Sequence, residues 1–340
     1  TLATGYICGV GRQPIYSDSG WFLYAAQAVH RGEPLYSSMY YGYTPYGPLV
    51  GALSIAAGNL VGLPSYLAPR YINLLAHAVC PCVLYLVVLR AMPRSPLRAF
   101  LAGATFAGFG IQTVLSVNRF NPKTWVVLCS LLCVLFVLRG GWTLAGLSAS
   151  AAAMFWQPAV VCVVAAGFLA LTTDARSRWR PAVGFAVGIL IGVAPCVAYL
   201  FVKGEWEPFW FSAVAGQVAS DEDAGAFRFL RWLTMPVAFW TEALVFVVAF
   251  FSFIAYHATA IREARSIRGI VSSPTFVLTL FTAAYSVVVI LNFDGAAHAG
   301  PLLPFIAFWA ATYAPATLAK ATTALNRALP RRRVWPTVAK

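Results

Sequence analysis

Two acids and a scattered set of bases stand out in this sequence for the chemistry they could do. Asp18 lies in YSDSGWFLYAAQ, just ahead of an apolar stretch. A carboxylate there can take a proton from a hydroxyl, or cap the helix that follows by accepting its first amides. Glu33, in Gly32-Glu33-Pro34, is a second acid within reach of the same role, and equally reads as part of a plain turn. Arg70 opens a long apolar run. A guanidinium at such a place binds phosphate through paired hydrogen bonds or anchors the helix at an interface. Arg119 and Lys123 lie in VNRFNPKTW, and Arg228 and Arg231 stand one i,i+3 step apart. His298, in DGAAHAG, could hold an anion, orient a hydroxyl or simply be solvated. Tyr40, Tyr41, Tyr43 and Tyr46 could stack against rings, yet Tyr at an interface needs no ligand. Taken together, these types support proton removal and anion binding.

The elements that position them must be membrane helices. The chain has 340 residues, 60% hydrophobic and only 10% charged, with a mean hydropathy of +0.73. A soluble domain is about a quarter charged, so a soluble α/β enzyme is excluded, as is disorder. The formal charge of +13 suggests nucleic acid, but the bases form no clustered face, so no nucleic-acid partner is expected. Apolar runs cover 66–89, 99–117, 124–138, 181–202, 235–256, 270–291 and 301–319. A longer run, 142–173, is interrupted at Gln157-Pro158 and predicts two short helices that enter the bilayer and return. The Gly- and Pro-rich run 46–62 predicts a re-entrant or interfacial helix. Thr1–Val10 reads as the outer end of a first, truncated helix whose beginning precedes Thr1. The seven cysteines form no C-x-x-C pair and suit helix packing in lipid.

Short loops rich in Lys and Arg face the cytoplasm. Three such loops carry Arg90, Arg94 and Arg98; Arg176, Arg178 and Arg180; and Arg262, Arg265 and Arg268. Placing them inside puts Asp18, Glu33, Glu205, Glu207, Asp221, Glu222, Asp223 and Asp294 on the outside. Glu242 is then the one carboxylate within a span, and intramembrane acids are functional by default. Asp221-Glu222-Asp223 reads as a solvated loop or a metal site. The chain is expected to be a single transmembrane domain, 1–340. Its first outer loop spans 11–65 with interfacial helices, and a second large outer loop spans 203–234.

The first loop carries D-x-G-x-x-x-x-A-x-x-x-x-x-x-G-x-P-x-Y, an aromatic stretch, then T-P-x-G-P-L. It resembles the first outer loop of GT-C glycosyltransferases, among them protein O-mannosyltransferases, aminoarabinose transferases and polyprenol-dependent mannosyltransferases. The matching residues are Asp18, Gly20, Ala25, Gly32, Pro34, Tyr36, Pro45, Gly47, Pro48 and Leu49. Arg70, the break at 157–158 and the turn NFDGAAHAGPLLPF resemble later family features. Two positions depart from the pattern: Ser19 replaces the second acid of a pair, and Gln157 replaces a Lys at the break.

The resemblance implies an all-α polytopic bundle that moves a sugar from a polyprenyl-phosphate donor to a glycan, lipid or protein acceptor on the outer face. Membrane lipids are the remaining partners. Asp18 is then the general base, and one base with direct displacement implies inversion. Arg70, Arg119, Lys123, Arg228, Arg231, His298, Glu33 and Tyr43 are the substrate-binding candidates. No cofactor is firmly implied, and a divalent cation, Mg or Mn, is compatible with this chemistry. The competing reading is a transporter or flippase for lipid-linked sugars, which would favour paired broken helices in two halves of the chain. This sequence shows one strong break.

Overall fold

The computed structural model describes residues 17–110, 112–113, 116, 120–172, 179–215, 242–263, 273–292 and 296–312. Among these the regular elements are all helical. The first loop region holds α1 (Ser17–His30), α2 (Leu35–Ser38) and α3 (Tyr46–Leu60). Then come α4 (Ala68–Ala91), α5 (Pro96–Ala107), α6 (Pro122–Arg139), α7 (Trp142–Phe155), α8 (Val160–Thr172) and α9 (Trp179–Lys203). A short α10 (Trp206–Phe209) runs into a π-helical turn, Trp210–Ala215. The rest comprises α11 (Ala243–Glu263), α12 (Pro274–Asn292), α13 (Ala296–Ala299) and α14 (Gly300–Thr312). Five of these, α4, α6, α9, α11 and α12, are long and apolar enough to cross a membrane.

Local sequence explains most boundaries. Pro69, Pro96 and Pro122 stand in first turns, where a missing N–H costs nothing. Gly140 ends α6 at φ +72°, and Gly32 turns the chain after α1 at φ +78°. The run 142–173 is divided as its Pro dictates. Trp156 is extended, at φ −158° and ψ 113°, and a 3-10 turn at Gln157–Ala159 leads into α8.

Two expectations differ from the structure. The run 99–117 is not one helix. Its first part, α5, ends at Gly108, whose N–H bonds to the Ala104 and Thr105 carbonyls. Hydropathy is continuous across this break and so does not register it. Glu242, expected two turns inside a span, immediately precedes Ala243, the first residue of α11. It is buried, and its Oε1 accepts the Gly110 N–H at 3.1 Å, which satisfies an amide freed by the α5 break.

The main core joins α4, α6, α7, α8, α12 and α14 around Leu84, Leu131, Phe281, Phe305 and Trp309. The α7–α9 pair packs backbone to backbone. A Cβ at Gly188 would lie 2.0 Å from the Thr143 carbonyl, and one at Gly146 2.1 Å from the Phe185 carbonyl. Small residues at such a seam let helices approach where lipid supplies no hydrophobic drive. This seam fixes α9, and so the place to which α9 delivers Lys203 and Glu205.

Candidate functional site

The site is built where α1–α3, the start of α6, the α7–α8 break, the end of α9 and α13 meet. The loop 39–45 belongs to no helix and carries the aromatic stretch. The Tyr41 and Tyr43 ring centroids are 5.8 Å apart, and Trp21 and Phe22 of α1 lie 5.3 Å and 5.4 Å from Tyr41 and Tyr43 respectively. Tyr41 is fully buried, while Tyr43 is half-buried. Edge-to-face and tilted contacts of this kind hold rings in fixed orientations. Tyr46 packs edge-on against Phe155 just before the break, and its hydroxyl donates to the Gly192 carbonyl of α9. Phe155 in turn stacks on Trp125 at 5.6 Å.

The break itself faces this loop. Gln157 Nε2 donates to the Gly42 carbonyl at 3.0 Å. Beside it, Trp156 gathers two predicted ligand residues. Lys123 Nζ lies 5.4 Å from the Trp156 ring centroid, and the His298 ring lies 5.6 Å from it. Asn121 caps α6 by accepting the Lys123 N–H at 2.9 Å, which sets the first turn from which the lysine projects. A helix start, a lysine and a histidine thus converge on one ring, an arrangement suited to an anion.

The other predicted residues fall as follows. Asp18 lies in the first turn of α1, and its side chain is outside the described atoms. Arg119, Arg228 and Arg231 lie outside the described residues, as do Asp221, Glu222, Asp223 and Asp294. Arg70 is in the first turn of α4 and buried, 2% exposed, rather than snorkelling to an interface. One turn on, Asn73 Nδ2 donates to the Ser116 carbonyl at 2.8 Å and meets Thr124 Oγ1 at 3.3 Å, so α4 adjoins the lysine-bearing turn of α6. Glu33 is paired with Arg31, Nε to Oε1 at 2.5 Å, on an exposed turn. The hydrogen bond from Arg31 holds the Glu33 carboxyl below its usual range and raises the guanidinium. The contacts that join Lys123, Trp156 and His298 do not include Glu33. Among the described residues, no group of three or more His, Cys, Asp or Glu could hold a metal ion.

Sequence reasoning missed Glu205, read there as one outer acid among several. It is fully buried. Oε2 accepts the Leu35 N–H at 2.8 Å; Oε1 accepts the N–H groups of Tyr36 at 2.6 Å and Ser37 at 3.0 Å, and the Ser37 hydroxyl at 3.1 Å. Lys203 Nζ donates to the Gly32 carbonyl at 2.8 Å. The end of α9 therefore grips the first loop at both ends of residues 32–37.

No family model matches the chain, and no curated protein matches it. Two solved structures do. The oligosaccharyltransferase of Archaeoglobus fulgidus, solved in complex with Zn and sulfate, aligns over 93% of this chain with a TM-score of 0.58 and 14% identity. ArnT from Cupriavidus metallidurans, solved bound to undecaprenyl phosphate, aligns over 96% with a TM-score of 0.61 and 14% identity. This is the GT-C fold. The chain spans 48% of the first protein and 61% of the second. With its five long apolar helices, the chain is a multi-pass membrane protein. Within it, the aromatic loop, the α7–α8 break and the start of α6 form one continuous wall.

Proposed function

We propose that this chain is a membrane glycosyltransferase that takes a sugar from a polyprenyl-phosphate donor on the outer face of the bilayer. The observation that carries the reading is the convergence of Lys123 and His298 on Trp156, beside the loop that holds Tyr43, a loop packed in turn on the helix whose first turn holds Asp18. Its support is the shared fold, together with ArnT bound to undecaprenyl phosphate. In this reading Lys123 and His298 hold the departing phosphate, where fixed donors stabilise developing charge best. Arg70, buried one turn from Asn73, adds positive potential behind them, and Arg119, Arg228 and Arg231 are further phosphate ligands. Tyr43 stacks on the sugar. Asp18 removes the acceptor proton as the acceptor oxygen attacks the anomeric carbon and the phosphate oxygen leaves with the bonding pair. A single displacement of this kind inverts the anomeric centre. Glu33, tied to Arg31, takes no part.

An apolar groove of about 310 Å³ between α5, α11 and α14, lined by Leu101, Thr105, Leu244, Val248 and Ala310, offers a path for the lipid tail. The donor sugar of choice for a test is mannose. Purified protein mixed with undecaprenyl-phosphate mannose and a membrane lipid extract as acceptor should release undecaprenyl phosphate and glycosylate the extract. A transporter would move the donor between leaflets of a vesicle with its sugar bond intact. That outcome would overturn the reading.

A further inference from the structure

We infer that Glu205 is a positioning residue which, through Tyr36, sets where the Tyr43 segment stands against the α7–α8 break. The chain of contacts is continuous. Glu205 takes three backbone N–H groups and one hydroxyl from α2, all at 2.6–3.1 Å, and is fully buried while doing so. A buried carboxyl group loses its hydration, and four accepted hydrogen bonds replace it here. Tyr36, on the gripped α2, sends its hydroxyl to the Tyr43 carbonyl at 2.7 Å. The preceding carbonyl, Gly42, takes Gln157 Nε2 at 3.0 Å. Residues 42 and 43 are thus held between a bond from α2 and a bond from the break.

The Tyr36 ring is itself wedged between Tyr41 and Phe209, at 6.1 Å and 5.2 Å, and the Phe209 N–H donates to the Glu205 carbonyl at 2.9 Å. The residue that grips α2 therefore also seats the ring that packs on Tyr36. Burial pushes the pKa of the Tyr36 phenol well above its usual range, so the phenol keeps the proton it donates to the Tyr43 carbonyl. Loop 39–45 has no helix of its own, so side-chain bonds of this kind decide its position.

The assignment of the Tyr43 wall to the donor sugar rests on the proposed function; the relay itself does not. The test uses the purified full chain as Glu205→Gln, Tyr36→Phe and the double variant. Hydrogen exchange is followed in peptides covering 33–38 and 39–46, alongside KM and kcat for undecaprenyl-phosphate mannose. Glutamine can accept at only one of the two positions and sets an N–H against an N–H at the other. The expected result is exchange about tenfold faster in both peptides for Glu205→Gln, and in 39–46 alone for Tyr36→Phe. KM should rise about fivefold to tenfold with kcat within about twofold, and the double variant should match Glu205→Gln, because both changes cut one path.

Exchange in 39–46 that stays at the wild-type rate in Glu205→Gln, or effects that multiply in the double variant, would overturn the relay. Faster exchange with an unchanged KM would uphold the relay and overturn the sugar assignment of Tyr43. Should Glu205→Gln fail to fold, Tyr36→Phe decides alone. It removes one oxygen and leaves α2 gripped, and wild-type exchange in 39–46 would then overturn the inference.

Discussion

Lys123 is the described residue whose removal should speak most directly to phosphate binding. Its ammonium rests near the Trp156 ring, within 5.4 Å of the centroid, so it is held in place before any ligand arrives. Lys123→Ala should weaken binding of undecaprenyl phosphate about tenfold, the scale of one charge-assisted contact, and Lys123→Arg should restore most of it. Titration of the purified variants with the lipid phosphate would measure both. Glu33 should behave oppositely. Both side chains of its pair with Arg31 are exposed, 40% and 47%, and surface pairs contribute little. Glu33→Gln should therefore leave the thermal midpoint at pH 7 unmoved and donor turnover within about twofold of wild type. The sign of any effect follows from the lowered carboxyl. What the pair contributes is present above the ordinary carboxylate range and fades as pH falls through the lowered value.

Among the elements, the α7–α9 seam carries the most consequence, because α9 brings Lys203 and Glu205 to the first loop. Gly184, Gly188 and Gly192 recur every four residues along it. A Cβ at Gly188 meets the Thr143 carbonyl and the Leu147 amide nitrogen at 2.0 Å and 2.7 Å, atoms that move only if the helices separate. Gly188→Ala should lower the unfolding midpoint in detergent by several degrees, since forced repacking costs about 1–3 kcal/mol. Hydrogen exchange in 33–38 should rise in the same variant, because the grip of Glu205 shifts with α9. The polar contact between α4 and α6 is a second test. Asn73→Leu strands the Ser116 carbonyl and the Thr124 hydroxyl in a buried setting, at a cost of about 1–3 kcal/mol, measurable by the same unfolding assay.

At the scale of the whole molecule, five pieces of the chain far apart in sequence meet at one place. The start of α6, the break after α7, the end of α9, the α13 turn and the first loop touch through Lys123, Trp156, Gln157, Glu205 and His298. The helical class and the break at Pro158 were legible because each has a local cause: hydropathy and a missing amide. The gap at Gly108 and the grip of Glu205 were not. Apolar residues continue across the first, and the second pairs a carboxylate with backbone amides 168–170 residues away, which leave no trace in side-chain type. The regular glycines of α9 were a readable signal of close packing. Arg70 illustrates a further limit: an arginine at the start of an apolar run reads as an interface residue until the packing that buries it is known.

The central claim is that this fold transfers sugar with a carboxylate at the start of α1 as its base. The most direct measurement is sugar transfer from undecaprenyl-phosphate mannose by the purified wild-type chain and by Asp18→Asn at matched amounts, with lipid-phosphate binding measured in parallel. The prediction is transfer by the wild type and a loss of about a hundredfold or more in Asp18→Asn, with undecaprenyl phosphate bound equally by both. Undiminished transfer by Asp18→Asn, or binding by the wild type without transfer to any acceptor, would contradict it.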